Sequence, residues 1–348
     1  MDSPFIYNTI VSGTDFIPRN TESDKLYSAI KEHRCAAIYE PPKSGKQSLI
    51  NHTLEKIKVE NWKHRICKVD LFNVRTEEHL FRKCTEELEK TLPLPPSERQ
   101  PFSTLPEFLR EVQRRAESAQ TNLILIFDEF HEILRLEDWD TPLRTLEKEL
   151  EKHQHPNTSV VFCGSFTNAM RVIFDDIKFF YHVCDRIRFS KIDEKSFTDF
   201  IIRSFLKAGR VVSKELALHI YRLTNGQPWY TQQLADIAYS LTRGYLTEAI
   251  INQAFELLME LHSYRFKYLT ARLSNYQISF LKAIIDGVDR FSSLEALTTY
   301  NLQSSANVNR IKDALTKKEI IEFSTKTHRI NHFLDPLYET WLRTRYFV

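Results

Sequence analysis

Between Cys35 and Ser190 the chain alternates short apolar runs with longer amphipathic stretches. The runs are CAAIY at 35–39, RICKVDLF at 65–72, NLILIF at 122–127, SVVFC at 159–163 and RIRFS at 186–190. Each is too short for a helix, and most carry apolar residues at consecutive positions. That is the signature of strands covered on both faces, as in a parallel sheet with crossover helices. The stretches between them repeat apolar residues at helical spacing and predict helices over 46–58, 76–91, 105–119 and 142–153. LPLPPSERQP at 92–101 carries four prolines and predicts a helix-breaking surface loop. The expected core is therefore α/β, a five-stranded parallel sheet flanked by helices.

From Asp193 the strand pattern stops and helical periodicity takes over, predicting helices at 193–207, 213–223, 228–242 and 247–262. A third section begins near Leu273. There NYQISFLKAII, SLEALTTYN and ANVNRIKDALTKKEII read as three helices, EFSTKTHRINHF as a β-hairpin, and DPLYETWLR follows. Three short helices and a hairpin make up the composition of a winged helix.

A length of 348 residues suits two or three domains, and 42% hydrophobic with 27% charged residues suits an ordered globular chain. No run reaches about 18 apolar residues, and MDSPFIYNTIVSGTDFIPRN lacks a basic start followed by an apolar core, so a cytoplasmic protein with no membrane partner is expected. Cys35, Cys67, Cys84, Cys163 and Cys184 are scattered and odd in number, which favours buried thiols over disulfides or a zinc site. The net charge of +2 says little about partners.

Candidate chemistry begins in IYEPPKSGKQSLI, residues 38–50. A phosphate-binding loop, GxxxxGK[ST] between a strand and a helix, curls backbone N–H groups around one phosphate, reaches others with its lysine and places a hydroxyl on magnesium. Gly45 and Lys46 stand in the right context, but Glu40 replaces the first glycine and Gln47 the final Ser or Thr. Alone, a Gly-Lys pair is weak. LILIFDEF adds an apolar strand ending in Asp128 and Glu129, where a Walker B motif sets a magnesium-organising aspartate and a water-activating glutamate. VFCGSF ends a further strand at Ser165, a turn residue by itself and a γ-phosphate sensor in company with the other two.

Six landmarks in order carry a resemblance: FIPRNTESDKL beside F-x-x-R-x-x-E-x-x-x-L, PPKSGKQSLI beside PRRxGKTSL, LILIFDEF, FCGSF, NGQPWYTQQLAD beside GHPYYxQ, and LDPLYETWLR. The chain resembles the AAA+-related STAND ATPases of the archaeal ATPase type, especially versions abundant in Bacteroidetes-like bacteria. The resemblance implies a P-loop NTPase core at 1–190 with an opening base-binding segment, a helical lid at 191–265 and a C-terminal winged-helix domain at 266–348. It implies ATP or ADP with Mg2+ as cofactors. Arg19 would flank the base, and Pro41, Pro42, Lys43, Ser44, Gly45 and Lys46, with Gln47 and Ser48 behind them, would hold the phosphates. Asp128, with Gln47, would organise the metal, while Glu129, Lys46 and Ser165 would serve hydrolysis. Gly226 and Pro228 would bring lid backbone to the nucleotide; on turn chemistry alone they are equally a helix cap and a helix start.

The departures qualify this. Glu40 beside a polyphosphate is unfavourable unless its side chain turns away. Gln47 is long and neutral and cannot reproduce a hydroxyl beside the loop, and Ser48 lies about 100° further around the helix. Nucleotide binding is expected to be weakened and hydrolysis more so. The leading expectation is a nucleotide-dependent regulatory switch read by a protein partner or by self-association. The alternative is a DNA-binding or scaffold regulator whose P-loop core no longer turns ATP over. From Leu273 onward ten Lys or Arg face eight Asp or Glu, a weak footprint for double-stranded DNA. HQH at 153–155 is a metal hint better read as solvated, and Arg186 and Arg188 are either a finger for a neighbouring subunit's nucleotide or solvated edge residues.

Overall fold

A computed structural model describes residues 3–152, 156–324 and 329–348; the HQH segment falls outside them. The chain divides into two compact units, Ile10–Ser190, and Met1–Thr9 with Lys191–Val348. No described helix is long and apolar enough to cross a membrane.

The first unit runs α1 (Asn20–Lys31), β1 (Cys35–Tyr39), α2 (Lys46–Val59), β2 (His64–Asp70), α3 (Glu77–Thr91), α4 (Leu105–Ser118), β3 (Asn122–Asp128), α5 (Asp140–Leu150), β4 (Thr158–Gly164), α6 (Thr167–Arg171) and β5 (Cys184–Ile187). The five strands form one parallel sheet in the order β2-β3-β4-β1-β5, as the apolar runs predict. Alternation along each strand feeds two cores. Ala36, Ile38, Ile124, Ile126, Val161 and Cys163 pack under α1 and α2. Tyr39, Phe127 and Phe162 face the opposite side, where Phe130, Phe174 and Phe180 join them; the Phe130 and Phe162 rings approach to 4.4 Å. All five cysteines are free and buried. Helix starts follow local chemistry: Thr76 and Thr104 accept hydrogen bonds from the backbone N–H of His79 and Glu107 at 3.2 and 3.3 Å.

Two expectations shift. The fifth strand, expected over 186–190, lies at Cys184–Ile187. The chain leaves the sheet there because side chains take its next backbone groups. Glu40 accepts from the Phe189 N–H at 2.8 Å, Glu22 accepts from the Ser190 N–H at 2.9 Å, and Arg19 donates to the Ser190 carbonyl. Helix α1 was not anticipated in the polar segment after Phe16.

The second unit contains α7 (Glu194–Lys207), α8 (Lys214–Leu223), α9 (Pro228–Leu241), α10 (Glu248–Ala271), α11 (Asn275–Ile285), α12 (Leu294–Thr299), α13 (Ser305–Lys317), the antiparallel ribbon β6 (Ile321–Ser324) and β7 (Arg329–Phe333), and α14 (Pro336–Trp341). Helix α10 continues past the expected end at 262, because the buried Phe266 and Thr270 give its last turns a packed face. His262 lies inside against Gln233 at 2.8 Å, and burial drives its pKa down to about 4. Nearby, Asp335 accepts from the Tyr230 hydroxyl at 2.9 Å and pairs with Arg265 at 2.6 Å.

Candidate functional site

The site is built where β1, β3 and β4 end together at the carboxyl edge of the sheet, the place where open α/β sheets receive ligands. The connection from β1 to α2 is tight. Gly45 caps α2 with φ 96°, a conformation that a side chain at this position would strain. It aims the first backbone N–H groups of a fourteen-residue helix out of the loop, the arrangement that receives anions. Lys46 is only 6% exposed and donates to the carbonyls of Glu40 at 2.6 Å and Pro41 at 3.0 Å. Burial lowers its pKa, opposed by Cys163, Glu129, Glu40 and Asp128. The buried Ser44 hydroxyl has no hydrogen-bond partner among the described residues, and Pro42 and Lys43 are exposed.

The Glu40 carboxylate does turn away, onto the Phe189 N–H; burial raises its pKa, with that N–H, Arg188, Lys46 and Arg19 working against the rise. Ser48 likewise points elsewhere, accepting from the Val11 N–H at 3.2 Å and so fastening the opening segment to α2. Arg19 is 8% exposed, with its guanidinium 4.5 Å from the Phe189 ring centroid and 3.9 Å from Glu22.

At the end of β3, Asp128 meets Gln47 directly. The Gln47 amide nitrogen donates to both carboxylate oxygens at 2.8 and 2.9 Å, and its carbonyl accepts from Lys68 of β2 at 3.0 Å. Lys68 also pairs with Asp128 at 2.9 Å. Glu129 follows in the left-handed region, φ 50°, and both its oxygens accept from Ser165, from the hydroxyl at 2.7 Å and the backbone N–H at 3.1 Å. His131 approaches Glu129 at 3.3 Å and stacks on Phe166 at 4.5 Å; burial drives its pKa down to about 4, helped by Arg135 and Lys46. An open depression of about 770 Å³ lined by Trp62, His64, Arg65 and Lys90 lies at the opposite, amino-terminal end of β2.

The fold has solved counterparts. A Walker-type ATPase of Pyrococcus abyssi superposes with a TM-score of 0.71 at 17% identity over 98% of this chain and 99% of its own. The fold is that of a P-loop ATPase. The ADP form of the ORC2 protein of Aeropyrum pernix aligns at 0.59 and 14% identity over 97% and 95%, and Cdc6p of Pyrobaculum aerophilum at 0.51 and 15% over 99% and 98%. No family model matches the chain, and no curated protein matches it.

On this P-loop fold, residues 41–46 fit a phosphate group: helix N–H donors, a buried ammonium and an unpartnered hydroxyl converge on one turn. The set at Gln47 and Asp128, as arranged, does not fit a magnesium ion. Magnesium wants oxygen ligands and keeps several waters. Here the amide turns its N–H2 to the carboxylate, and an ammonium already neutralises it. Among the described residues no three His, Cys, Asp or Glu side chains gather to hold a metal.

Gly226 and Pro228 belong to the second unit, where each has a full structural role. Gly226, at φ 68°, ends α8 with its N–H on the Tyr221 carbonyl, and a Cβ there would lie 2.5 Å from the Tyr221 ring; Pro228 starts α9. Arg186 and Arg188 are both paired with Asp175, which also accepts from the Tyr39 hydroxyl at 3.1 Å. Two site residues escaped the sequence reading, His131 and Lys68. Nothing in the sequence singled out Lys68, since the same strand also carries the charged and exposed Arg65 and Asp70.

Proposed function

We propose that the chain binds ATP or ADP through residues 41–46 and works as a nucleotide-dependent switch of the STAND kind, with slow or impaired turnover. The carrying observation is the loop: Gly45 in the left-handed region opening α2, Lys46 buried beside it, and the Ser44 hydroxyl without a partner among the described residues. In this reading Arg19, pinned on Phe189, borders the base, and Gly226 with Pro228 supply lid backbone. The ADP form of the Aeropyrum protein, a nucleotide-bound neighbour in fold, is consistent with it.

Two features support impaired turnover. Both oxygens of Glu129 accept from Ser165, which ties the carboxylate to the end of β4, and the position that would supply a metal-ligating hydroxyl holds Gln47. Residues 1–190 act as the nucleotide core, 191–265 as the lid and 266–348 as a winged helix whose output is read by a protein partner or a second copy.

Calorimetric titration of the native protein with ADP and with ATP tests the reading. Saturable binding is expected, and loss of it in Gly45→Val, whose side chain would strain the loop. A native protein that ignores millimolar nucleotide sinks the switch. Steeply salt-dependent duplex binding that nucleotide leaves unchanged would favour the DNA-binding alternative.

A further inference from the structure

We propose that Lys68 stands in for the divalent cation, so that the loop binds nucleotide without magnesium. This rests on the nucleotide-binding reading above and deepens it. The placement follows from the sheet. Lys68 is registered with Ile126 and Asp70 with Asp128, so Lys68 projects on the face that carries Ile126 and Asp128, beneath α2. There its ammonium reaches Asp128 at 2.9 Å and the Gln47 carbonyl at 3.0 Å.

The orientation of Gln47 is forced. Reversing its amide would set a carbonyl against a carboxylate and an N–H2 group against an ammonium. A threonine or serine is too short to bridge both groups. Gln47 is therefore the link that fixes a cation where the motif would otherwise fix a metal, rather than a damaged ligand. An ammonium has three donors, and two are used here, which leaves one for a phosphate oxygen. A 2+ ion brought to Asp128 would have to displace this ammonium or sit against it.

The test is nucleotide affinity measured by calorimetry in excess EDTA and again in excess magnesium, with manganese electron paramagnetic resonance as a direct readout of metal. For the native protein the two affinities are expected to agree within about threefold, with no manganese signal broadened by ADP. Lys68→Met is expected to bind about tenfold or more weakly in EDTA, and magnesium should then restore part of the loss. Lys68→Arg, which keeps the charge, should keep the insensitivity to EDTA. Gln47→Thr combined with Lys68→Met should make binding depend on magnesium; thermal melts of each variant verify folding. Native binding that appears only with magnesium overturns this inference and leaves the nucleotide reading standing. No binding under either condition overturns both.

Discussion

The two halves of the candidate site, which adjoin at Lys46 and Gln47, are built on opposite principles. In the phosphate half, backbone conformation does the positioning: Gly45 turns the chain, Lys46 rests on loop carbonyls, and the Ser44 hydroxyl finds no partner among the described residues. In the metal half, side chains satisfy one another, with Gln47, Lys68 and Asp128 closed into a hydrogen-bonded cluster. The motif departs at Glu40 and at Gln47, but Glu40 turns away onto the Phe189 N–H and only Gln47 rebuilds the charge arrangement around it. The half that is altered is self-contained, with its charge balanced from inside.

If this difference is local, damage to the shared sheet should spare neither half. Phe162→Ala opens the aromatic cluster under β3 and β4 and is expected to cost about 3–5 kcal/mol in chemical unfolding. It should weaken nucleotide binding only through the loss of folded protein. A selective loss of binding at unchanged stability would mean that the sheet tunes the site and the contrast is not local.

Lys46→Met cuts the phosphate half alone. It is expected to lower ATP affinity about 100-fold, the loss of a charge-assisted contact worth about 3 kcal/mol, with little change of melting temperature. Affinity equal to native would remove the phosphate half from consideration.

Acid acts on the other side. The fold keeps His131 neutral down to about pH 4, against an ordinary value of 6.5, because it is buried. Between those values the unfolded chain binds the extra proton, so the stability from this group is complete above about pH 6.5 and drains away as pH falls toward 4. His262 in the second unit behaves the same way. His131→Phe, which keeps a ring for Phe166, should therefore flatten the acid loss by about 3 kcal/mol at pH 4 and leave pH 7.5 unaffected by titration. Equal pH profiles for variant and native protein would show that His131 is not held neutral.

How much of this could be read in the residues depended on whether a feature is made by neighbours in sequence. Buried strands announce themselves, and the boundaries of β1, β3 and β4 fall within a residue of the apolar runs. Capped helices do so too, since Thr76 and Thr104 act three residues down their own chains. The end of β5 could not be seen, because Arg19, Glu22 and Glu40 take over the backbone of 189–190 from 149 to 171 residues away. Gln47 was visible as a departure, yet its meaning was not. A glutamine beside a phosphate loop looks like a lost ligand until strand register brings Lys68 within 3.0 Å of it.

The smallest effect distinguishes two roles for Ser165, which accounts for both oxygens of Glu129. A sensor is needed for turnover, so its loss should slow hydrolysis. A latch holds the glutamate away from water, so its loss should speed it. Ser165→Ala removes the 2.7 Å hydroxyl bond and keeps the backbone one, a change of about 1 kcal/mol in stability. Because Glu129 already stands in the left-handed region and is held at both oxygens, release rather than further constraint is the expected consequence. Phosphate release by Ser165→Ala should exceed native by about fivefold, the kinetic equivalent of that one bond. A fall below native would make Ser165 a sensor and would tie the metal half back to hydrolysis.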